Sequence, residues 1–344
     1  MKIDTIAKRF AALLLAAAIA ALPPSRAALA WGATGHEFIT GIAAELFPEE
    51  IPAFLRTPEA VQIMAPIGRE PDRIKNTYVT IDDDLGPAHY VLLADDKSVA
   101  GILPLDRLPA TREDYDTLLR AGGSTQYKAG YLPYAIVVGW YRLAKDFAYW
   151  RAASIGARTA LDPADRVWFD EDRKRRELLL LRDLAYWSHF PGDASMPLHT
   201  SQHFYGWGPY LNPQGFATSE AMELFVKGTF VARNIKRDLV KAAVRPYEAC
   251  NCTIWERASR LILESNKLVV PMYELDKKGA FEAAKPEAVA LVTAQLAVGA
   301  GAVRDMVIDA WKMSGELRVG APTVSMRDIL SGKHILRRYD FHYD

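Results

Sequence analysis

Apolar residues recur at three- and four-residue spacing through nearly every patterned stretch of this chain, and that period commits it to helices packed on helices. Ile39, Ile42, Ala43 and Leu46 form one stripe, which Pro48 stops. Pro133 opens a second helix, whose apolar face carries Ile136, Val137, Trp140, Leu143, Phe147 and Trp150. Further helices are expected over 162–186, 219–240 and 253–270. A long one follows Pro286, with Val292, Leu296, Val303, Met306 and Ala310 on one face. The best strand signal is a short run at 77–81. Loops are expected at 48–88 and 200–216, the second rich in Gly, Pro and aromatics. The expected fold is therefore all-α and single-domain.

The first thirty residues have a different character. Lys2, Lys8 and Arg9 precede an apolar run at 11–22 that is too short to span a bilayer. Ala28-Leu29-Ala30 then supplies a small-x-small cleavage site. We expect residues 1–30 to be a secretory signal and 31–344 the mature domain, secreted or periplasmic. No later apolar stretch is expected to span a membrane. Cleavage after Ala30 would give Trp31 a free amine beside its own carbonyl, a five-membered chelate for a divalent metal, with His36 five residues on.

Lys plus Arg and Asp plus Glu both number 42. A neutral chain has no excess charge with which to bind duplex nucleic acid by counterion release. A small or single-stranded phosphate substrate stays open, because a metal can supply the positive charge. Cys250 and Cys252 either close a small ring or stay as separate thiols, and two cysteines make no disulfide scaffold.

Five of the seven histidines are His36, His89, His189, His199 and His203. His189 and Asp193 are i and i+4, so one helix face would present both to one metal or to two adjacent ones. Pro191 between them is a candidate kink. Alone, such a pair is usually a salt bridge at the surface. His199, six residues later, turns it toward a metal site. Imidazole with carboxylate suits zinc.

These residues together resemble the trinuclear-zinc phosphodiesterases, which include single-strand nucleases and bacterial zinc-dependent phospholipase C. Trp31-Gly-Ala-Thr-Gly-His36 looks like the start of the nuclease branch, and Pro71-Asp72-Arg-Ile-Lys75 like its acidic ligand segment. Ala88-His89-Tyr90-Val91 and His189-x3-Asp193-x5-His199 look like its later histidine motifs. Pro213-Gln-Gly-Phe216 and Glu223-Leu-Phe-Val226 look more like the phospholipase branch. The resemblance spans 31–226. It implies up to three zinc ions. One would be held by Asp72, His89, His189 and Asp193. A second would be held by the Trp31 amine and carbonyl, His36 and a bridging Asp193. A third would be held by His199, a further His and Glu223. At this third site the chain departs from the family, because Ser219 stands where a ligand His is expected. Either that ion is weak or absent, or His203 or Glu220 substitutes.

The resemblance also implies that Asp72 orients or deprotonates an attacking water in phosphodiester hydrolysis. It makes Tyr90 a base-stacking candidate, although Leu92 stands where the nuclease branch has an Asp that bonds the base. Tyr205, Trp207 and Tyr210 are candidates for a stacking platform or a cation cage, or for plain packing. The expected substrate is single-stranded nucleic acid or nucleotides. The alternatives are phospholipid head groups, or a non-catalytic member that binds metal or phosphate. A purely structural zinc protein fits poorly with a site lacking Cys.

Overall fold

A computed structural model of the chain describes residues 31–75, 85–218 and 229–341. It is mostly helical. In chain order the helices are α1 (Gly32–Glu45), α2 (Pro58–Ile67), α3 (Glu70–Ile74), α4 (Arg112–Ala121), α5 (Gln126–Ala129), α6 (Leu132–Thr159) and α7 (Pro163–Trp187). They continue as α8 (His189–Ala194), α9 (Val231–Asn234), α10 (Arg237–Ala243), α11 (Ile254–Asn266), α12 (Val269–Lys277), α13 (Pro286–Ser314) and α14 (Met326–Leu330). Two short antiparallel hairpins, β1 (Ser98–Val99) with β2 (Leu103–Pro104) and β3 (Arg318–Val319) with β4 (Val324–Ser325), were not expected.

Local chemistry sets where these helices start. Thr57 Oγ1 accepts from the Ala60 amide at 3.1 Å, and Pro58 follows at the position where a missing N–H costs nothing. Asp162 caps α7 in the same way ahead of Pro163. Thr253 and Glu256 close a capping box on α11.

The long helices supply the core. α6 and α7 pack along one another, and α13 lies against α1, α6 and α8. Val292, Leu296, Val303, Met306 and Ala310 of α13 are all buried, as their spacing implies. Gly299 faces Ser195 and Ile39, where an added Cβ would press on both, so its bare backbone lets α8 sit close to α13. A second, smaller apolar cluster joins Ala148, Ala152 and Phe169 to Val319, Met326 and Ile329 at the far end of α6 and α7.

Several expectations need correction. The span 48–88 is not one loop, because Thr57 and the prolines nucleate α2 and α3 within it. The stretch 253–270 is two helices, α11 and α12, which break at Lys267 and Leu268. The strand at 77–81 lies outside the described residues, as do Ser219, Glu223 and the first part of the 219–240 helix. What is described of that helix is two short pieces, α9 and α10. α13 is long and apolar enough to cross a membrane by length and composition, contrary to expectation, although its buried face packs inside the bundle. Cys250 and Cys252 form a disulfide.

Leu296 is fully buried against the Trp31 and Gly35 corner. Leu296→Ala is expected to cost about 3 kcal/mol of stability in urea titration. Leu178→Ala, at a position 70% exposed, should shift it by less than about 0.5 kcal/mol.

Candidate metal centre

Where α7 ends, Pro191 has no N–H to offer the Trp187 carbonyl four residues earlier. The ladder is broken there for one residue, Ser188 keeps right-handed helical angles, and α8 resumes at His189. The proline therefore interrupts the hydrogen-bond ladder between two consecutive helical segments. His189 and Asp193 remain i and i+4 within α8, with Asp193 Oδ2 3.2 Å from His189 Nε2.

Other elements converge on this pair. α1 contributes His36, whose Nε2 is 3.5 Å from Asp193 Oδ1. α3 contributes Asp72, with Oδ1 3.6 Å from His189 Nε2 and 3.7 Å from His89 Nδ1. The turn Gly86–His89 brings His89 Nδ1 to 2.9 Å from Asp193 Oδ2 and 3.0 Å from His189 Nε2. The turn Pro197–Thr200 places His199 Nδ1 3.8 Å from Asp193 Oδ1. The His36 and His189 rings stack at 3.7 Å. All six side chains are buried.

Backbone carbonyls aim the rings. His189 Nδ1 donates to the Gly68 carbonyl at 2.8 Å, and His199 Nδ1 donates to the His89 carbonyl at 2.6 Å. Each bond sets the tautomer, so Nε2 carries the lone pair, which is how metal-ligating histidines are usually oriented. Gly68 has to be glycine for this, because a Cβ there would strike the Thr40 side chain and the His36 carbonyl.

The donor set fits a cation. Both ring nitrogens of His36, Asp72 Oδ2 and Asp193 Oδ1 are buried without a hydrogen-bond partner. Buried polar atoms left this way are rare and call for an occupant. Two tetrahedral ligands of zinc lie about 3.3 Å apart, within the spread of the separations seen here. Two triads, His36 with Asp72 and His189, and His89 with His189 and Asp193, each hold their ligand atoms within 4.8 Å of one another and could hold a metal ion. They share His189.

Trp31 is anchored by its indole. Its Nε1 donates to the Gly192 carbonyl and to Ser195 Oγ, both at 3.0 Å, which pins the start of α1 to the helix bearing Asp193. Glu223 lies outside the described residues. His203 is placed away from the six-residue cluster. Its Nδ1 donates to the Trp207 carbonyl at 2.9 Å, and its Nε2 meets Asp95 at 3.0 Å. Both nitrogens are engaged, and the stretch around it is turns rather than the helix that would align it with His199. His203 stacks on Trp207 at 3.8 Å. Trp207 is itself buried against Phe216 and Tyr273, so it is packing rather than platform. Tyr205 and Tyr210 are the exposed aromatics of this loop. Tyr90 packs on Phe204, donates to the Tyr127 carbonyl, and has its phenol pushed up to about 12 by burial.

Sequence reasoning missed Lys75. It is buried, with Nζ 2.6 Å from Asp72 Oδ1. Its i, i+3 spacing from Asp72 at the end of α3 was the available signal. Burial raises the Asp72 carboxyl, but His189, Lys75 and His89 outweigh it and hold it well below the carboxylate range. Asp193 is likewise held low, mainly by His189 against its own burial. Burial and Lys75 push His89 down to about 4, and burial with His189 lowers His36. His189 moves the other way, because Asp193 and Asp72 outweigh its burial.

No protein-family model, curated protein or solved structure matches this chain.

The lowered histidines make stability depend on pH. Between about 6.5 and about 4 an unfolded chain takes up a proton that folded His89 refuses, and the lowered His36 acts in the same direction, so metal-free protein should lose stability as pH falls through that window. His189, whose value is raised, leaves this slope unchanged, because its contribution is fully present below about 6.5 and is lost only as pH rises above it. His89→Gln should flatten the slope by up to about 1.4 kcal/mol per pH unit in urea titrations of chelator-treated protein. An unchanged slope would show that His89 is protonated when folded.

Proposed function

We propose that this chain is an exported zinc-dependent phosphodiesterase acting on single-stranded nucleic acid or nucleotides. The observation that carries this is the buried Asp193 carboxylate. It lies within 3.5 Å of His36, His89 and His189, with one oxygen left without a hydrogen bond. Such a group has little structural use unless a cation joins it. Asp72, His89, His189 and Asp193 would hold one zinc, and His36 with Asp193 and the freed Trp31 amine a second. A third would depend on His199 and Glu223. Zinc, once held, supplies Lewis acidity toward phosphoryl oxygen and toward water.

The side chains do the rest. Asp72 is ionised and has an unbonded Oδ2, so it is fit to orient an attacking water; held this low it is a weak base, and taking the proton would require that Lys75 or the histidines release their hold on it. Lys75 holds the other oxygen, which limits the rotation of that carboxylate. Tyr90 and Tyr205 flank Phe204 beside His199, a ledge of rings on which an unpaired base can stack. The overall charge balance suits a substrate gripped locally rather than a long duplex.

The test is to assay mature protein on single-stranded DNA, RNA and phosphatidylcholine vesicles, with zinc counted in the same sample. Asp193→Asn should remove bound zinc and lower the rate by about 10²-fold or more. Full activity in this variant would end the proposal. Release of diacylglycerol without nucleic-acid cleavage would move the substrate to phospholipid.

A further inference from the structure

A cleft of about 590 Å³ opens between α11, α13 and the segment 243–248, lined by none of the metal-centre residues. Its volume is that of an ordinary small-molecule site. Its wall is mixed. Leu261 and Val298 give it an apolar side, while five cationic side chains stand against three acids, Glu248, Glu264 and Asp305. Asp309, which pairs with Arg257 just outside the wall, brings the local balance to five cations against four acids, in a chain with no net charge.

The cations are arranged by depth. Arg304 is buried, with Nε and Nη2 donating to Asp305 Oδ1 at 2.8 and 2.6 Å, so one edge of the guanidinium is fixed by a neighbour. Arg257 is fixed by Asp309 at 2.8 Å and by the Glu248 carbonyl. Arg260 stands exposed at the mouth. Arg257 Nη1 also lies 3.6 Å from Asp305, so an incoming anion would meet the remaining N–H edge of Arg304 and the exposed Arg260. A second observation points to an occupant. Gln295 and Ser265 line the same cleft, and Gln295 Nε2 and Ser265 Oγ are buried without a hydrogen-bond partner.

We propose that this cleft binds a small organic anion, with a phosphoryl or carboxyl head toward the arginines and an apolar body against α11 and α13. The site is independent of the metal centre. The cleft holds no buried imidazoles or thiols, so the ligand is recognised by charge and shape rather than through a metal.

Calorimetric titration of the zinc-loaded mature protein with benzylphosphonate, benzoate and benzyl alcohol tests this. One of the two anions should bind at least about tenfold more tightly than the alcohol, and the better of them identifies the head group. Arg260→Glu should weaken that anion about tenfold, and Val298→Trp should block it. Both positions are exposed, so folding should survive. Asp193→Asn should leave this binding intact, which separates it from capture at the metal centre. Equal binding of the alcohol, no binding of either anion, or affinity unchanged in both cleft variants would overturn the proposal.

Discussion

The structure is organised around one electrostatic problem, a carboxylate buried where no water reaches it. Asp193 lies at 0% exposure in the middle of the helical bundle. An isolated charge there would cost many kcal/mol. The chain surrounds it with three imidazoles and a second carboxylate, and brings one lysine ammonium to that second carboxylate. His36 and His89 are held toward their neutral forms by burial, so among the three imidazoles it is chiefly His189, whose value is raised, that offsets the carboxylates. The same groups could hold a metal ion, which would add positive charge between the two carboxylates.

Packing follows from that arrangement. The clustered side chains come from α1, α3, α8 and a turn, so those elements must meet with little tolerance. Glycines allow the approach, Gly68 beneath His189 and Gly299 behind α8. The Trp31 indole ties the start of α1 to α8. The His/Asp cluster and the hydrophobic core are therefore one piece of architecture, since the same helices line both.

How much was legible beforehand varied with the range of the interaction. The i, i+4 pair of His189 and Asp193 was visible because one turn of helix brings them together. His36, His89 and Asp72 were visible only through a pattern of motifs, since nothing local says that residues a hundred positions apart will meet. Lys75 escaped notice because lysines at i+3 from an acid usually sit in solvent. His203 was tempting by spacing, yet the Gly-rich loop turns it onto Trp207 and Asp95 instead.

By itself the sequence determined the helical class, the positions of α1, α6, α7 and α13, and the residue types for a metal site, because periodicity, proline placement and side-chain chemistry are local properties. Only the tertiary structure decided which histidines cluster around Asp193, which one turns to Trp207 and Asp95 instead, and that a charged cleft opens behind α13. Those outcomes depend on long-range packing, in which carbonyls such as Gly68 and His89 choose the ring orientation. No spacing rule encodes which distant backbone atom a side chain will find.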